Sequence, residues 1–203
     1  MFTGLIKTQG TIRRVDQRGD CMVTIAMSEA FPAEIGDSIC CQGICLTVIK
    51  IDDNAFKVSL SAETMNRTNA RDWAVGTVIN LEPSLSVGDS MGGHFVSGHI
   101  DGLARVVASE KSGDSTIWEL EVPPHLARFV AAKGSVTLDG VSLTVNAVKD
   151  MSDPAPRTIF SVNIIPHTAK MTSFGTLKMG DSLNMEIDML ARYVARLNEK
   201  KLS

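Results

Sequence analysis

Apolar and polar residues alternate along most of this chain in short runs, the period of strands with one buried face. Residues 21–27 (CMVTIAM), 44–51 (ICLTVIKI), 56–61 (FKVSLS) and 77–82 (TVINLE) are such runs, bounded by Gly, Asp, Asn or Pro. A matching set stands at 117–122 (IWELEV), 141–148 (VSLTVNAV), 159–165 (IFSVNII) and 182–187 (SLNMEI). All eight predict strands. Short helices are predicted at 29–35, capped by Ser28, and at 63–73, with counterparts near 124–132 and 168–175. The segment at 124–132 opens at Pro123–Pro124, a helix-start signal. Short strands at this density suggest an all-β chain with a small closed or Greek-key barrel in each half. The tail departs from the period of two. Met189, Leu190, Tyr193, Val194 and Leu197 recur at helical spacing, with Arg192, Arg196, Glu199 and Lys200 elsewhere around the helix. That stripe predicts a helix that packs either on its own domain or on another copy of the chain.

The two sets of strands are copies of one another. GDSICCQGICLTV at 36–48 is answered by KGSVTLDGVSLTV at 133–145, and FKVSLSAETMNRT at 56–68 by FSVNIIPHTAKMT at 160–172. VGTVINLE at 75–82 is answered by MGDSLNME at 179–186, and the opening FTGLI by FVSGHI at 95–100. The offset is 97 residues at the LTV segment (145 minus 48) and 104 later (160 minus 56), which places an insertion in the loop MSDPAPR at 151–157. A period this long marks a duplicated domain. The turn-rich stretch SVGDSMGGH at 86–94 reads as the linker. The expected units are 1–93, 94–188 and a terminal helix over 189–203. Two like domains offer two like sites, which suits a reaction between two copies of one molecule.

Composition narrows the function. The chain is 44% hydrophobic and 21% charged, ordinary for a globular protein. A net charge of −3, with two Trp and one Tyr, argues against tracking or stacking on nucleic acid. No apolar run reaches membrane-spanning length, and MFTGLIKTQG lacks the features of a signal peptide, so the cytoplasm is expected. Cys21, Cys40, Cys41 and Cys45 all fall in the first half, and a structural disulfide framework would have been duplicated with the domain, so free thiols are expected. A metal site at Cys40, Cys41 and Cys45 is the other reading, opposed by the alternation of neighbouring strand residues.

Candidate chemistry follows from strand alternation. Ile44, Leu46 and Val48 share one face, Gly43, Cys45 and Thr47 the other. In the copy, Val141, Leu143 and Val145 oppose Gly140, Ser142 and Thr144. Each strand thus has an apolar face for a core and a small polar face beside a glycine, a composition suited to close approach by a ligand. Gly4-Leu5-Ile6 and Gly98-His99-Ile100 repeat a glycine at a corresponding position, and Thr64 and Thr168 each stand near a strand-to-helix junction. His94 and His99 are candidate acid–base groups, while Asp188 reads as an N-cap. There is no dinucleotide fingerprint, phosphate loop or metal signature.

Together, MFTGLI, the twin G-x-x-LTV segments, ET-x-x-x-T at 63–68, GGHFVSGH at 92–99 and N-x-E-x-D at 184–188 resemble the riboflavin synthase family of the two-lumazine-domain type. The resemblance covers nearly the whole chain, in order. It implies two tandem six-stranded Greek-key barrels and a homotrimer joined through the C-terminal helices. It also implies that two molecules of 6,7-dimethyl-8-ribityllumazine exchange a four-carbon unit, giving riboflavin and 5-amino-6-(D-ribitylamino)uracil, without metal or redox cofactor. The working site would lie between the N-terminal barrel of one subunit and the C-terminal barrel of a neighbour. Lumazine synthase, which forms the substrate, is a further candidate partner.

Carried over by position, the resemblance assigns ligand contacts in the first barrel to Gly4, Leu5, Ile6, Cys45, Leu46, Thr47, Ser59, Leu60, Ser61, Ala62, Glu63 and Thr64. In the second it assigns Gly98, His99, Ile100, Lys133, Ser142, Leu143, Thr144, Asn163, Ile164, Ile165, Pro166, His167 and Thr168. Catalysis falls to Cys45, His99, Ser142, Thr144 and Asp188, with His94 beside them. His167 stands where glutamate is expected before Thr168. Related lumazine proteins that bind a chromophore without chemistry typically lose site residues in the second half. This chain keeps His99, Lys133, Ser142 and Thr144.

Overall fold

A computed structural model describes residues 1–17, 20–153 and 155–199. The eight predicted strands form, and four more join them. In the first half β1 (Thr8–Gln17), β2 (Cys21–Met27), β3 (Ser38–Cys41), β4 (Ile44–Asp52), β5 (Ala55–Leu60) and β6 (Val78–Pro83) close in the order β1-β2-β5-β4-β3-β6. In the second, β7 (Gly102–Ser112), β8 (Ser115–Val122), β9 (Ser135–Leu138), β10 (Val141–Met151), β11 (Arg157–Ile164) and β12 (Ser182–Ile187) close in the equivalent order. All pairings are antiparallel, and the β3-β4-β5 meander set beside β2 makes each barrel a Greek key. Both barrels bulge at the same place, between Val48 and Lys50 and between Val145 and Ala147. A bulge bends a strand and raises its twist, which closure of so small a sheet requires.

Alternation explains the interior. Val48, Phe56, Val58, Leu60, Ile79 and Leu81 point into the first barrel; Val145, Phe160, Val162, Ile164, Leu183 and Met185 point into the second. A buried phenylalanine contributes on the order of 2 kcal/mol of apolar transfer, and Phe56 and Phe160 stand at matching positions.

The predicted helices need correction. Residues 29–35 form an irregular crossover from β2 to β3, with a bend at Glu29 and a turn beginning at Ile35, not a helix. Pro32 disfavours helical backbone at Phe31, and the Ser28 amide donates to Gln9 O instead of the Ser28 side chain capping a helix. The segment 63–73 splits into α1 (Ala62–Arg67) and a 3-10 turn (Asn69–Asp72). Thr68 causes the break: its backbone is extended and its hydroxyl accepts from Ala70 N. The copy splits likewise at Thr172, into α2 (Pro166–Met171) and a 3-10 turn (Ser173–Thr176). Residues 124–132 shorten to a 3-10 helix, Pro124–Phe129.

The terminal helix is α3 (Met189–Glu199), with Lys200 outside the described residues. Asp188 caps it, accepting from Leu190 N at 2.9 Å, and Arg192 ties it to Asp101 at 2.9 Å. Most of its apolar stripe is left uncovered by its own barrel: Met189 is half-buried, but Leu190, Tyr193, Val194 and Leu197 are all more than half exposed.

The barrels meet about a local twofold. The arms preceding them pair with each other, Phe2 N donating to Val96 O and Val96 N to Phe2 O. Phe2, Val96 and Cys40 form a small shared apolar cluster, while Cys41, facing the opposite way, lies in the first core. Beyond them Asn80 Nδ2 donates to Asp139 O, and Asn184 Nδ2 to Gln42 O, at 2.9 and 2.8 Å.

Candidate active site

Tight turns aim the polar strand faces. Gln42-Gly43 joins β3 to β4 and Asp139-Gly140 joins β9 to β10, all four residues having positive φ. Two consecutive left-handed residues are the signature of a type I′ hairpin, whose twist matches the strands. The two turns touch: a Cβ on Gly43 would stand 2.8 Å from Gly140 N. From this junction β4 and β10 diverge with Cys45 and Ser142 on their outer faces, as alternation predicts. Leu46 is buried, Leu143 half-buried, and Thr47 and Thr144 exposed.

The arms lie on these strands crosswise. Cys45 N donates to Gly98 O at 2.8 Å, and Ser142 N to Gly4 O at 2.9 Å. Both arm glycines are left-handed, φ +78 for Gly4 and +77 for Gly98, and a Cβ on either would fall within 2.6 Å of the Cβ beneath it. Ile100 packs against the first core and Ile6 against the second. The grouping expected from the sequence is therefore corrected: Gly98, His99 and Ile100 belong with the first barrel's strand face, and Gly4, Leu5 and Ile6 with the second's. The arm before each barrel crosses the twofold and covers the other.

Beside Cys45 is a cavity of about 330 Å³, lined by Ile44, Cys45, Glu63, Thr64, Arg67, Thr68, Gly98, His99, Ile100 and Asp101. Its volume lies at the lower end of small-molecule sites. Ser61 caps α1, accepting from Thr64 N at 3.2 Å, and Glu63 pairs with Arg67 at 2.8 Å across one helical turn. The structure thus unites Cys45, Glu63, Thr64, Gly98, His99 and Ile100. Ser59 is half-buried on β5, Leu60 points into the core, and Ala62 and Thr47 are exposed beside the cavity without lining it.

The face of the second barrel is occupied differently. His94 Nδ1 and Ser142 Oγ lie 2.7 Å apart, and His94 Nε2 is 3.1 Å from Thr137 Oγ1. Burial lowers the His94 pKa, and the Asp188 carboxylate opposes that shift. A neutral imidazole between two hydroxyls can accept from one and donate to the other. Lys133 adopts φ +67 at the position matching Gly36. A non-glycine residue there is strained by roughly 1 kcal/mol. Pro166 opens α2 at its first turn, with no side-chain cap from Ile165. Asn163, Ile165 and His167 are exposed, Ile164 is buried and Thr168 half-buried. Neither Ser142 nor Thr144 lines the Cys45 cavity, so one chain presents two unlike polar strand faces.

Sequence reading missed the residues that hold this layout. Glu82 and Glu186, buried at the ends of β6 and β12, accept from the arm amides. Burial pushes both carboxyls up, and the donors around them oppose it. Acidic residues in the twin segments NLE and NME, within strands otherwise buried, were the available signal. A polar cleft of about 510 Å³ straddles the twofold, lined by Gln42, Asn69, Asp139 and Ser173 among others, and takes in none of the predicted site residues.

Comparison with known proteins follows the same division. The Lumazine binding domain family matches residues 3–84 and again 97–188. The riboflavin synthase of Brucella abortus is 42% identical over 205 residues, covering 97% of this chain and 98% of its own length. That of Photobacterium phosphoreum is 40% identical, covering 97% and 88%. Among solved structures, LumP complexed with riboflavin superposes with a TM-score of 0.79 at 25% identity, covering 92% of this chain and 99% of LumP. LumP complexed with 6,7-dimethyl-8-(1'-D-ribityl) lumazine gives 0.76 at 24%, with the same coverage.

Proposed function

The chain belongs to the riboflavin synthase family, and we propose that it performs that family's reaction, joining two molecules of 6,7-dimethyl-8-ribityllumazine. A four-carbon unit passes from one to the other, giving riboflavin and 5-amino-6-(D-ribitylamino)uracil. The observation that carries this reading is near full-length identity of about 40% to riboflavin synthases, in a chain whose two halves both keep a small polar strand face.

The chemistry asks little of the protein beyond placement and proton transfer. The 7-methyl group of the lumazine is acidic because the ring delocalises the resulting anion, so two rings held face to face have most of what they need. The half-sites differ in ways that suit donor and acceptor roles. In the reading proposed here, Cys45 or a water adds to the ring in the first site, with His99 at hand for proton transfer. Ser142 and Thr144 polarise the ring in the second, Ser142 being held by His94. Asp188 caps α3 and faces His94. Lys133 and the α2 segment from Asn163 to Thr168 complete the second half-site.

The working site is proposed to form between the Cys45 face of one subunit and the Ser142 face of a neighbour, since each is only half a site in a single chain. The bare stripe of α3 supports a homotrimer assembled through this helix. We take the units as 1–93, 94–188 and 189–203, and the compartment as the cytoplasm; among the described residues no helix is long and apolar enough to cross a membrane. An association with lumazine synthase rests on the family resemblance alone.

Incubating the purified protein with the lumazine and following flavin absorbance tests the reaction. Binding without riboflavin would make the chain a lumazine carrier. Cys45→Ser and Ser142→Ala are each expected to lower kcat roughly tenfold or more; full activity in both would end the role assignment.

A further inference from the structure

Each barrel's site is completed by an arm whose anchor lies in the opposite barrel. On β12 of the second barrel, Glu186 Oε1 accepts from Ser97 N and Ser97 Oγ, both at 2.7 Å, and Oε2 accepts from Gly98 N at 2.8 Å and His99 N at 3.1 Å. The arm so held lays Gly98 O on Cys45 N, and its Gly98, His99 and Ile100 wall the first barrel's cavity. On β6 of the first barrel, Glu82 Oε1 accepts from Thr3 N and Thr3 Oγ1, and Oε2 from Gly4 N. That arm lays Gly4 O on Ser142 N of the second barrel.

We propose that Glu82 and Glu186 are crossed positioning residues: Glu186, in the second barrel, sets the Cys45 half-site of the first, and Glu82, in the first, sets the Ser142 half-site of the second. Both carboxylates are almost wholly buried. Every contact that Glu82 and Glu186 make above is a donor pointing at a carboxylate oxygen, so the anion is matched and a neutral amide is not. A glutamine would turn its NH2 toward N–H groups at one of the two oxygens. The arm would then loosen over the opposite barrel while its own barrel kept its hydrophobic core. Only the consequence for catalysis rests on the proposed reaction; the coupling of arm to strand does not.

Thiol alkylation of the full-length protein by iodoacetamide reads the arms without any turnover. Cys45 is half-buried, whereas Cys21, Cys40 and Cys41 are buried. Glu186→Gln is expected to raise the alkylation rate of Cys45 roughly three- to tenfold, the scale of one ordinary hydrogen bond lost, while Glu82→Gln leaves it unchanged. With the thiol moved by the pair Cys45→Ser and Ser142→Cys, the pattern should invert: Glu82→Gln raises the rate and Glu186→Gln does not. If either glutamine variant loses its barrel signal by circular dichroism, Ser97→Ala and Thr3→Ala make the same crossed test by removing the hydroxyl bond to each carboxylate, Thr3→Ala also losing the bond from Leu5 N. Equal effects of both substitutions on either thiol, or an effect confined to the barrel that carries the substitution, would overturn the proposal. Absence of riboflavin formation by the parent protein, with the crossed alkylation pattern intact, would refute the reaction and leave the positioning standing.

Discussion

The two halves share one fold down to the bulges, yet Cys45 opens onto a cavity while Ser142 is engaged by an imidazole. Duplication fixed what lies inside each barrel and left the outer polar face free to diverge. The interior pairs are alike, Phe56 with Phe160 and Leu81 with Met185, because barrel closure constrains volume. The outer pairs are unlike: Cys45 with Ser142, Glu63 with His167, Gln42 with Asp139. A reaction between two identical molecules gains from such divergence, since one must give and the other receive.

The comparison breaks hardest in the interior, where the halves should behave as equals. Phe56→Ala and Phe160→Ala are each expected to cost about 3–5 kcal/mol in chemical denaturation, and a large inequality would show that the barrels are not energetic twins. Next come Gly4→Ala and Gly98→Ala. A Cβ at these left-handed, crowded positions should destabilise each by roughly 2 kcal/mol or more, and should disturb the half-site of the opposite barrel first, visible as weakened lumazine binding in fluorescence titration.

Asp139 sharpens the difference at the twofold. Burial pushes its carboxyl up to about 7, against hydrogen bonds from Asn184 N, Asn69 and Gln42 that pull it down. The folded chain thus holds this proton more tightly than the unfolded one. Its stabilising contribution is complete below about pH 4 and is lost as pH rises through about 7. Asp139→Asn should therefore be more stable than the parent at pH 8, by about 1–3 kcal/mol, and indistinguishable below pH 4; thermal melts across that range check it. Equal melting temperatures at pH 8 would mean that the carboxylate is ionised without penalty.

The smallest effects concern the helices beside the sites. Ser61→Ala removes a cap that α2 lacks and should cost about 0.5–1 kcal/mol. Glu63→Gln removes an exposed ion pair worth roughly 0.3–0.5 kcal/mol. His167→Glu has no arginine one turn away, Met171 being there instead, and should leave stability and riboflavin formation near the parent's. A marked gain in rate would show that the expected carboxylate does matter.

Much of the fold was legible because alternation at period two reports burial directly: β2 and β12 run over the very residues predicted, and Cys45, Thr47, Ser142 and Thr144 face outward as expected. Strands β1, β3, β7 and β9 escaped notice. β3 and β9 span four residues each, and β1 and β7 carry polar stretches such as RRVDQ and SEKS. The helix expected at 29–35 failed because capping and composition are local signals, and Pro32 with the Ser28–Gln9 bond overrode them.

What the chain alone determined is the duplication, the barrel class, the outward polar faces of β4 and β10 and the apolar stripe of the tail. All follow from periodicities within single segments. Tertiary structure decided which arm serves which barrel, that Glu82 and Glu186 are anchors and not surface charges, that His94 meets Ser142, and that the α3 stripe is left bare. Each depends on contacts between residues some fifty to ninety positions apart or more, and a local pattern carries no information about those. Repeated sequence showed two matching polar strand faces; only the crossing of the chain showed that each is covered by the arm of the other half.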